Sequence, residues 1–370
     1  MQRQFVFVIG TRAQLIKVAP VIVACERRGM RGTLLMTGQH QETMQDLIEE
    51  FSIKSPQVQA LAAAERQTIR SLMLWLPQAY LGLKKQLRNL AGANIQQYVL
   101  VHGDTLSTLL GAFAARRCKA KVVHLESGLT SGRIFDPFPE ELCRRLVFRM
   151  TDVAMCPDSL ATEHMQKNHR TYVVNTGGNT IVDAVALAGV EEVLASPREP
   201  YIVASLHRFQ NIYSPRRLQY LVSLIRRIGE SYPVHFVLHP ATRKRLESGG
   251  LMAQLAQQKG IRLLPRMGYR GFLRLAAGAA CVLTDGGSNQ EELAALGVPT
   301  VVMRERTERQ DGLGGNAIME ASVEEGVEQF VLGRHFEKLR RPSVIVQANS
   351  PSERIALFLE GDSGQIELTP

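Results

Sequence analysis

Short apolar strands alternating with amphipathic helices from end to end constrain this 370-residue chain more than any other feature. FVFVIG leads into a helix from about Arg12 to Arg28, and GTLLMTG, QYVLVHG, AKVVHLES, TDVAMCP and TYVVNTG follow, separated by helical stretches. Each run is short and rich in Val, Ile or Leu, the pattern of parallel sheets covered by helices. The rhythm restarts at YIVASLH and continues through VHFVLHP, GIRLLPR, ACVLTDGG and VPTVVMR. Single cores stop growing near ~250 to 300 residues, so the restart marks a second domain. The expected fold is α/β, two Rossmann-like doubly wound domains facing a cleft. Residues 1–177 with a returning helix over 351–362 are expected to form the first domain, and residues 178–350 the second. The stretch from Gly177 to Pro200, with Gly, Pro and mixed charges, reads as the hinge. Ser350-Pro351-Ser352-Glu353 combines a capping serine, a first-turn proline and a glutamate three residues on, so a helix should begin there and pack against a sheet.

In open parallel sheets, ligands lie beyond the carboxyl ends of the strands. The residues at those positions are Gly10, Thr11 and Arg12; His102, Gly103 and Asp104; Glu126; His207 and Arg208; His239; and Asp285 to Ser288. Asp104 and Glu126 each end an apolar strand, where packing would want another Val or Leu. Either alone reads equally well as a cap or turn former, whereas together at one rim they point to chemistry.

The run LTDGGSNQEE, Leu283 to Glu292, is the sharpest of these strand ends. Gly286 and Gly287 permit backbone conformations closed to other residues and admit a ligand to the main chain, and Ser288 is expected to cap a helix over Asn289 to Leu296. Free amides then point outward and hold phosphate. A helix N-terminus stabilises an anion by only about 0.3 to 1 kcal/mol when exposed and roughly 2 kcal/mol when partly buried, so cations must help. Arg304, Arg306 and Arg309 are the candidates. Glu291 or Glu292 is placed to accept from a ribose. The plainer alternative is a strand-turn-helix corner with a solvated acidic face.

DPFPEELCRR supplies another carboxylate pair, Glu140 and Glu141, at a helix start, with Arg144 one turn on. An ordinary acidic first turn with an Arg144 salt bridge is the alternative there. Lys17, a turn and a half into the first helix, is by default a solvated lysine and reaches a substrate only if that helix end faces the cleft.

Composition narrows the function classes. Hydrophobic content of 45% and charged content of 21% are ordinary for a globular enzyme, and no apolar run reaches the ~18 to 20 residues of a membrane span. MQRQ runs straight into a strand without a signal-peptide cleavage pattern, so a cytoplasmic location is expected. Five scattered cysteines, Cys25, Cys118, Cys143, Cys156 and Cys281, argue against a disulfide framework and a zinc site. The net charge of +9 fits an anionic small substrate. Arg216/Arg217, Arg226/Arg227 and Arg340/Arg341 lack interleaved aromatics and read as solvated faces rather than a nucleic-acid surface. The segment Leu72 to Leu83 holds the only tryptophan beside Lys84 and Lys85, and is expected to be a buried helix interrupted at Pro77 rather than a membrane dock.

Taken in order, GTRAQLIKVAPV, TGQH, VHGDTLST, HLESGL, DPFPEE, GNTIVDA, SLHR, TDGGSNQEE with LGVPTVVMR, and TERQ resemble the non-hydrolysing UDP-N-acetylglucosamine 2-epimerase family from about residue 5 to 320. The resemblance implies a glycosyltransferase-B fold and inversion of C2 of a UDP-2-acetamido sugar, by elimination of UDP to a 2-acetamidoglucal and re-addition. Such a step makes precursors of bacterial-type surface polysaccharide, without a metal or redox cofactor, in a homodimer. By the same resemblance Asp104, Glu126 and Glu140 fall on the family's catalytic acids and bases and His207 on its catalytic histidine. It also implies Arg12 and Lys17 near the phosphates or sugar, Arg144 near the carboxylates, Gly286, Gly287 and Ser288 around the pyrophosphate, Glu292 on the ribose and Arg309 near the nucleotide.

The chain departs from the family words. GTRPE is here Gly10-Thr11-Arg12-Ala13-Gln14, HRREN is His207-Arg208-Phe209-Gln210-Asn211, DSGG is Asp285-Gly286-Gly287-Ser288, GLRTG is Gly128-Leu129-Thr130-Ser131-Gly132, and TERPE is Thr307-Glu308-Arg309-Gln310-Asp311. These cluster at expected nucleotide and sugar contacts and bear on which UDP-sugar is used; a Gln after the GTR word resembles the branch acting on diacetamido uronic acids. Some family members bind a second, regulatory UDP-sugar near TGQH and HRREN. A glycosyltransferase of the same fold, a hydrolysing relative and a non-catalytic nucleotide-sugar binder are the competing functions, and retention of the carboxylates and histidine argues against the last.

Overall fold

In a computed structural model of the chain, which describes residues 2–39, 44–61, 69–134, 137–195, 199–307, 309–345 and 350–361, two wholly parallel sheets account for the strands. The first contains β1 (Gln2–Ile9), β2 (Gly32–Met36), β3 (Gln57–Gln59), β4 (Ile95–His102), β5 (Lys121–Leu125), β6 (Val153–Cys156) and β7 (Tyr172–Asn175). Their spatial order is β3-β2-β1-β4-β5-β6-β7, so the topology switches direction between β1 and β4. The second contains β8 (Ile202–Ser205), β9 (Val234–Leu238), β10 (Ile261–Pro265), β11 (Cys281–Thr284), β12 (Thr300–Val302) and β13 (Ala317–Met319), ordered β10-β9-β8-β11-β12-β13 with its switch between β8 and β11. The chain divides into two compact units, Met1–Ala184 with Ala348–Pro370, and Val185–Gln347.

The strands read from sequence are these strands, because a strand covered on both faces needs apolar residues at successive positions: Phe5 to Ile9 are all buried. β3 and β13 escape that reading. Each is three residues at a sheet edge, and QVQ carries a single apolar side chain between two exposed glutamines.

One expectation fails in the helix Ile69–Leu90, which runs without interruption through Pro77. A mid-helix proline costs about 3 kcal/mol. Trp75, Ala79, Leu83 and Leu87 recur every four residues on one buried face, and each large side chain buried there contributes roughly 1.5 to 3 kcal/mol, so packing outweighs the proline. Leu74 and Leu81, on the other side, are 67% and 61% exposed.

The C-terminal helix Pro351–Glu360 starts as its sequence requires, with Ser350 Oγ accepting from the Glu353 amide at 3.2 Å. Its principal neighbour is the helix Arg12–Arg27 rather than a sheet. Arg28 ties the two helices through Glu353 at 3.2 Å and Glu360 at 2.9 Å. Position 362 and residues 196–198 of the expected hinge lie outside the described residues.

The paired arginines lie on solvated faces as expected, Arg216, Arg226, Arg227, Arg340 and Arg341 being exposed and Arg217 half-buried, and three of them also find partners. Arg217 is bonded to Glu320, Arg227 reaches Glu328 at 2.5 Å, and Arg340 donates to the Ala279 carbonyl at 2.6 Å. All five cysteines are free thiols, and burial pushes Cys25, Cys156 and Cys281 up to about 12, which leaves them unreactive. No helix among the described residues is long and apolar enough to cross a membrane.

Candidate active site

In the first unit the rim forms where β1, β4 and β5 end. β1 passes through Gly10 into the helix Arg12–Arg27, which opens on a capping box: Thr11 accepts from the Gln14 amide while the Gln14 side chain accepts from Thr11 N at 3.2 Å, and from Gly10 N at 2.9 Å as well. The Gln14 amide group also donates to the His102 carbonyl at 2.8 Å and to the Thr108 hydroxyl at 2.9 Å. A glutamate there has no proton to give, so Gln14 suits this junction of β1 and β4. Arg12 makes a bidentate pair with Asp46 at 2.6 and 2.7 Å.

Glu126 follows β5 in the left-handed region, φ 58°, a conformation that costs a non-glycine residue roughly 1 to 2 kcal/mol. Its Oε1 receives Lys17 Nζ at 2.8 Å and Asn179 Nδ2 at 2.5 Å, and its Oε2 lies 3.7 Å from His102 Nε2. Lys17 is 4% exposed, so its default as a solvated lysine is wrong: the first helix turns it inward, and its charge is compensated by Glu126. Gly103, also left-handed at φ 67°, brings the backbone close to Glu126; a Cβ there would stand 3.5 Å from Oε2.

Asp104, next along, accepts from Arg144 Nη2. Arg144 holds Glu141 with its other nitrogen at 2.7 Å, and Glu141 accepts further from Arg145, Thr130 and the Ser131 amide. Burial works to raise the Glu141 pKa, yet these bonds outweigh it and hold the carboxyl below its ordinary range. Glu140 differs. Among the described residues its Oε2 is buried with no hydrogen-bond partner. The thiol of Cys143, pushed up to about 11 first by burial, is raised further by the charges of both Asp104 and Glu140. Beneath them His124 is fully buried, its Nε2 donating to the Gly103 carbonyl at 2.8 Å; burial pushes it down to about 4 and keeps it neutral.

The second unit's rim forms at the β8/β11 switch. Asp285, fully buried, accepts from the amides of His207 and Arg208 at 2.9 Å each and from Asn211 Nδ2 at 2.7 Å. The His207 ring faces it with Nδ1 at 3.2 Å. Burial lowers the His207 pKa, helped by Arg208 and Arg266 and opposed by Asp285.

The helix after β11 begins earlier than expected, at Gly287, with Gly286 as its N-cap. Ser288 therefore lies in the first turn and caps nothing. Gly286 sits at φ −79°, so left-handed freedom is not what this position requires. Space is: a Cβ on Gly286 would stand 3.1 Å from the Asn289 side chain and 3.2 Å from His207 Cε1. Thr284 Oγ1 takes the Gly286 amide at 3.1 Å and Asn289 Nδ2 at 3.0 Å, while the next amides, of Gly287, Ser288 and Asn289, precede any intrahelical acceptor. That is an anion cradle of backbone donors.

Glu291 and Glu292 are 3% and 2% exposed, not a solvated acidic face. Arg309 pairs with Glu291 at 2.6 Å, and Gln290 pins the following loop through the carbonyls of Arg309 and Asp311. Where the family word has a charged pair, Phe209 is exposed and stacks on Tyr213 at 4.4 Å, and Asn211 turns inward. His40 of TGQH, Asp136 of DPFPEE and Glu308 of TERQ lie outside the described residues.

The structure thus brings Glu126, Lys17 and Asn179 together, Asp104 and Glu141 together on Arg144, with Glu140 at the start of the same helix, and His207 with the Gly286 turn. Sequence reasoning missed His124, which looks like part of a core strand, and gave no role to Asn179, although it lies in the GNTIVDA word.

A family model described as UDP-N-acetylglucosamine 2-epimerase matches residues 23–359. A UDP-N-acetylglucosamine 2-epimerase of Methanococcus maripaludis is 32% identical over 332 residues, covering 84% of this chain and 85% of its own. A UDP-2,3-diacetamido-2,3-dideoxy-D-glucuronate 2-epimerase of Pseudomonas aeruginosa is 29% identical, covering 81% of this chain and 83% of its own. Among solved structures, the UDP-GlcNAc 2-epimerase of Methanocaldococcus jannaschii superimposes with a TM-score of 0.74 at 26% identity, covering 97% of this chain and 99% of the other.

Proposed function

Because the chain belongs to the UDP-N-acetylglucosamine 2-epimerase family, we propose that it inverts C2 of a UDP-2-acetamido sugar by eliminating UDP and adding it back. The observation that carries this is the carboxylate set of the first unit, Asp104 held by Arg144, Glu126 ion-paired with Lys17, and Glu140 with a buried oxygen that has no hydrogen-bond partner among the described residues. A C2 hydrogen is scarcely acidic. It becomes removable only as the C1–O bond to the diphosphate breaks, with positive charge developing on the ring. One carboxylate takes the C2 proton, the C2–H electron pair forms the C1=C2 bond, and the C1–O pair leaves on the β-phosphate. A carboxylic acid then returns a proton to the opposite face of C2, and the phosphate oxygen closes again on C1. The sugar ends with the electrons it began with, so no oxidant or reductant is consumed.

Two proton transfers on opposite faces call for more than one acid or base, which gives Asp104, Glu126 and Glu140 their assignment. Departing negative charge calls for preorganised donors. The reading gives that part to the amides of Gly287 and Ser288 behind Gly286, and to His207, whose ring borders the turn. Arg12 and Lys17 are assigned to the phosphate or sugar end, Arg144 to the carboxylates, Glu292 to the ribose and Arg309 to the nucleotide. The substrate is UDP-N-acetylglucosamine or a modified derivative such as a diacetamido uronic acid, the substrate named for the Pseudomonas relative. A homodimer acting in the cytoplasm completes the reading, and sedimentation of the purified protein tests the dimer. The family match favours epimerisation over glycosyl transfer.

Incubation with UDP-N-acetylglucosamine and diacetamido analogues in heavy water, followed by NMR, tests the reaction. Deuterium at C2 with the C2 epimer appearing is the expected result; free sugar would mean hydrolysis, and inertness across the panel would remove the proposal.

A further inference from the structure

We propose that Asn179 is the positioning residue that aims Glu126 and keeps it ionised for proton transfer, an assignment that rests on the epimerase reading above. Asn179 lies between β7 and the helix Ile181–Leu187, two strands across the sheet from the end of β5 that carries Glu126. Its Oδ1 accepts from the Ile181 amide at 3.0 Å, and its Nδ2 donates to Glu126 Oε1 at 2.5 Å. The direction of the side chain is set by chemistry. A backbone amide only donates, so the atom facing Ile181 must be the oxygen and the atom facing Glu126 must be the NH2.

Lys17 Nζ reaches the same carboxylate oxygen at 2.8 Å, so one charged and one neutral donor converge on Oε1. Donors to the charged form favour it over the neutral acid. The lysine ammonium is a compact charge on a flexible stem and imposes little direction. The planar amide of Asn179, anchored at its other end on the helix, fixes where the carboxylate points. Glu126 needs such fixing, since its left-handed backbone persists only where surrounding contacts over-determine it.

A helix cap is the competing role for Asn179, and Asn179→Asp separates the two. The aspartate keeps the size and the acceptor for Ile181 N, loses the donor to Glu126 and sets a like charge against it. If Asn179 only caps the helix, its side chain is not held on Glu126 in solution, the new charge turns to solvent and the variant matches wild type in stability and activity, as does the uncharged cap Asn179→Ser. If it positions Glu126, kcat falls about tenfold or more, part of the roughly 10² to 10⁴ that a general acid or base supplies, with KM nearly unchanged. The acid limb of the pH–rate profile also moves to higher pH. A second measurement needs no substrate: the carboxyl ¹³C signal of Glu126, assigned by its loss in Glu126→Gln, is titrated in wild type and Asn179→Asp, and its midpoint should rise in the variant. An unshifted midpoint overturns the assignment. A wild type inert toward every UDP-sugar removes the epimerase reading, while the titration still decides whether Asn179 governs Glu126.

Discussion

Lys17 and Glu126, 109 residues apart in the chain, meet at 2.8 Å with side chains only 5% and 11% exposed. An ion pair so placed shows its strength chiefly when one member is removed, because the survivor is left charged in a poor solvent. Lys17→Met is expected to destabilise the protein by about 3 kcal/mol, the low end for a broken buried pair, since Asn179 still donates to Glu126. Adding Glu126→Gln to that variant should restore most of the stability and none of the activity. Urea unfolding of the two single variants and the double variant measures the coupling.

Glu140 holds a buried carboxylate oxygen without a hydrogen-bond partner among the described residues, an arrangement that costs stability unless a substrate atom completes it. Glu140→Gln should lower kcat by about 10² to 10⁴ while leaving UDP affinity, measured by calorimetry, unchanged. Loss of UDP binding in parallel with kcat would move Glu140 from proton transfer to binding.

Gly286→Ala introduces a methyl group 3.1 Å from Asn289 and 3.2 Å from His207 Cε1 without backbone strain. The variant should therefore fold with a near-native Tm. Displacing His207 and Asn289 by a few tenths of an ångström, and crowding the amides behind them, should weaken UDP binding about tenfold, equivalent to about 1.4 kcal/mol. Unaltered affinity would place the diphosphate elsewhere.

His124 makes stability pH-dependent. Burial lowers it from 6.5 to about 4 in the folded protein, so on acidification the unfolded chain takes up this proton first. Its contribution is complete above about pH 6.5 and is lost progressively down to about pH 4, amounting to about 3 kcal/mol for this one group. His169, His207 and His235 are lowered by burial as well and act in the same direction. His124→Gln keeps a donor for the Gly103 carbonyl and cannot titrate, so its unfolding free energy should fall less steeply than that of wild type between pH 6.5 and 4. Parallel slopes would mean that His124 is already protonated in the fold.

How far the sequence could be read depended on whether a residue's role is local. The cap at Ser350 was legible because the accepting oxygen and the donating amide lie three residues apart. Trp75 and the residues at four-residue intervals after it were legible as core, whereas the continuity of their helix through Pro77 was not, since that depends on how much the buried face gains from its neighbours. Ser288 looked like a cap because serine usually is one, yet the helix starts at Gly287, where Thr284 and Asn289 organise the turn instead.

By itself the amino-acid order determined two parallel α/β sheets and which polar residues stand at the strand ends, because hydrophobic period and turn chemistry act within a few residues. Only the tertiary structure decided the partners: Lys17 and Asn179 on one oxygen of Glu126, Arg144 on Asp104, and Asp285 beneath His207. Such pairings join segments tens of residues apart, so strand order and register set them, and no local pattern along the chain encodes those.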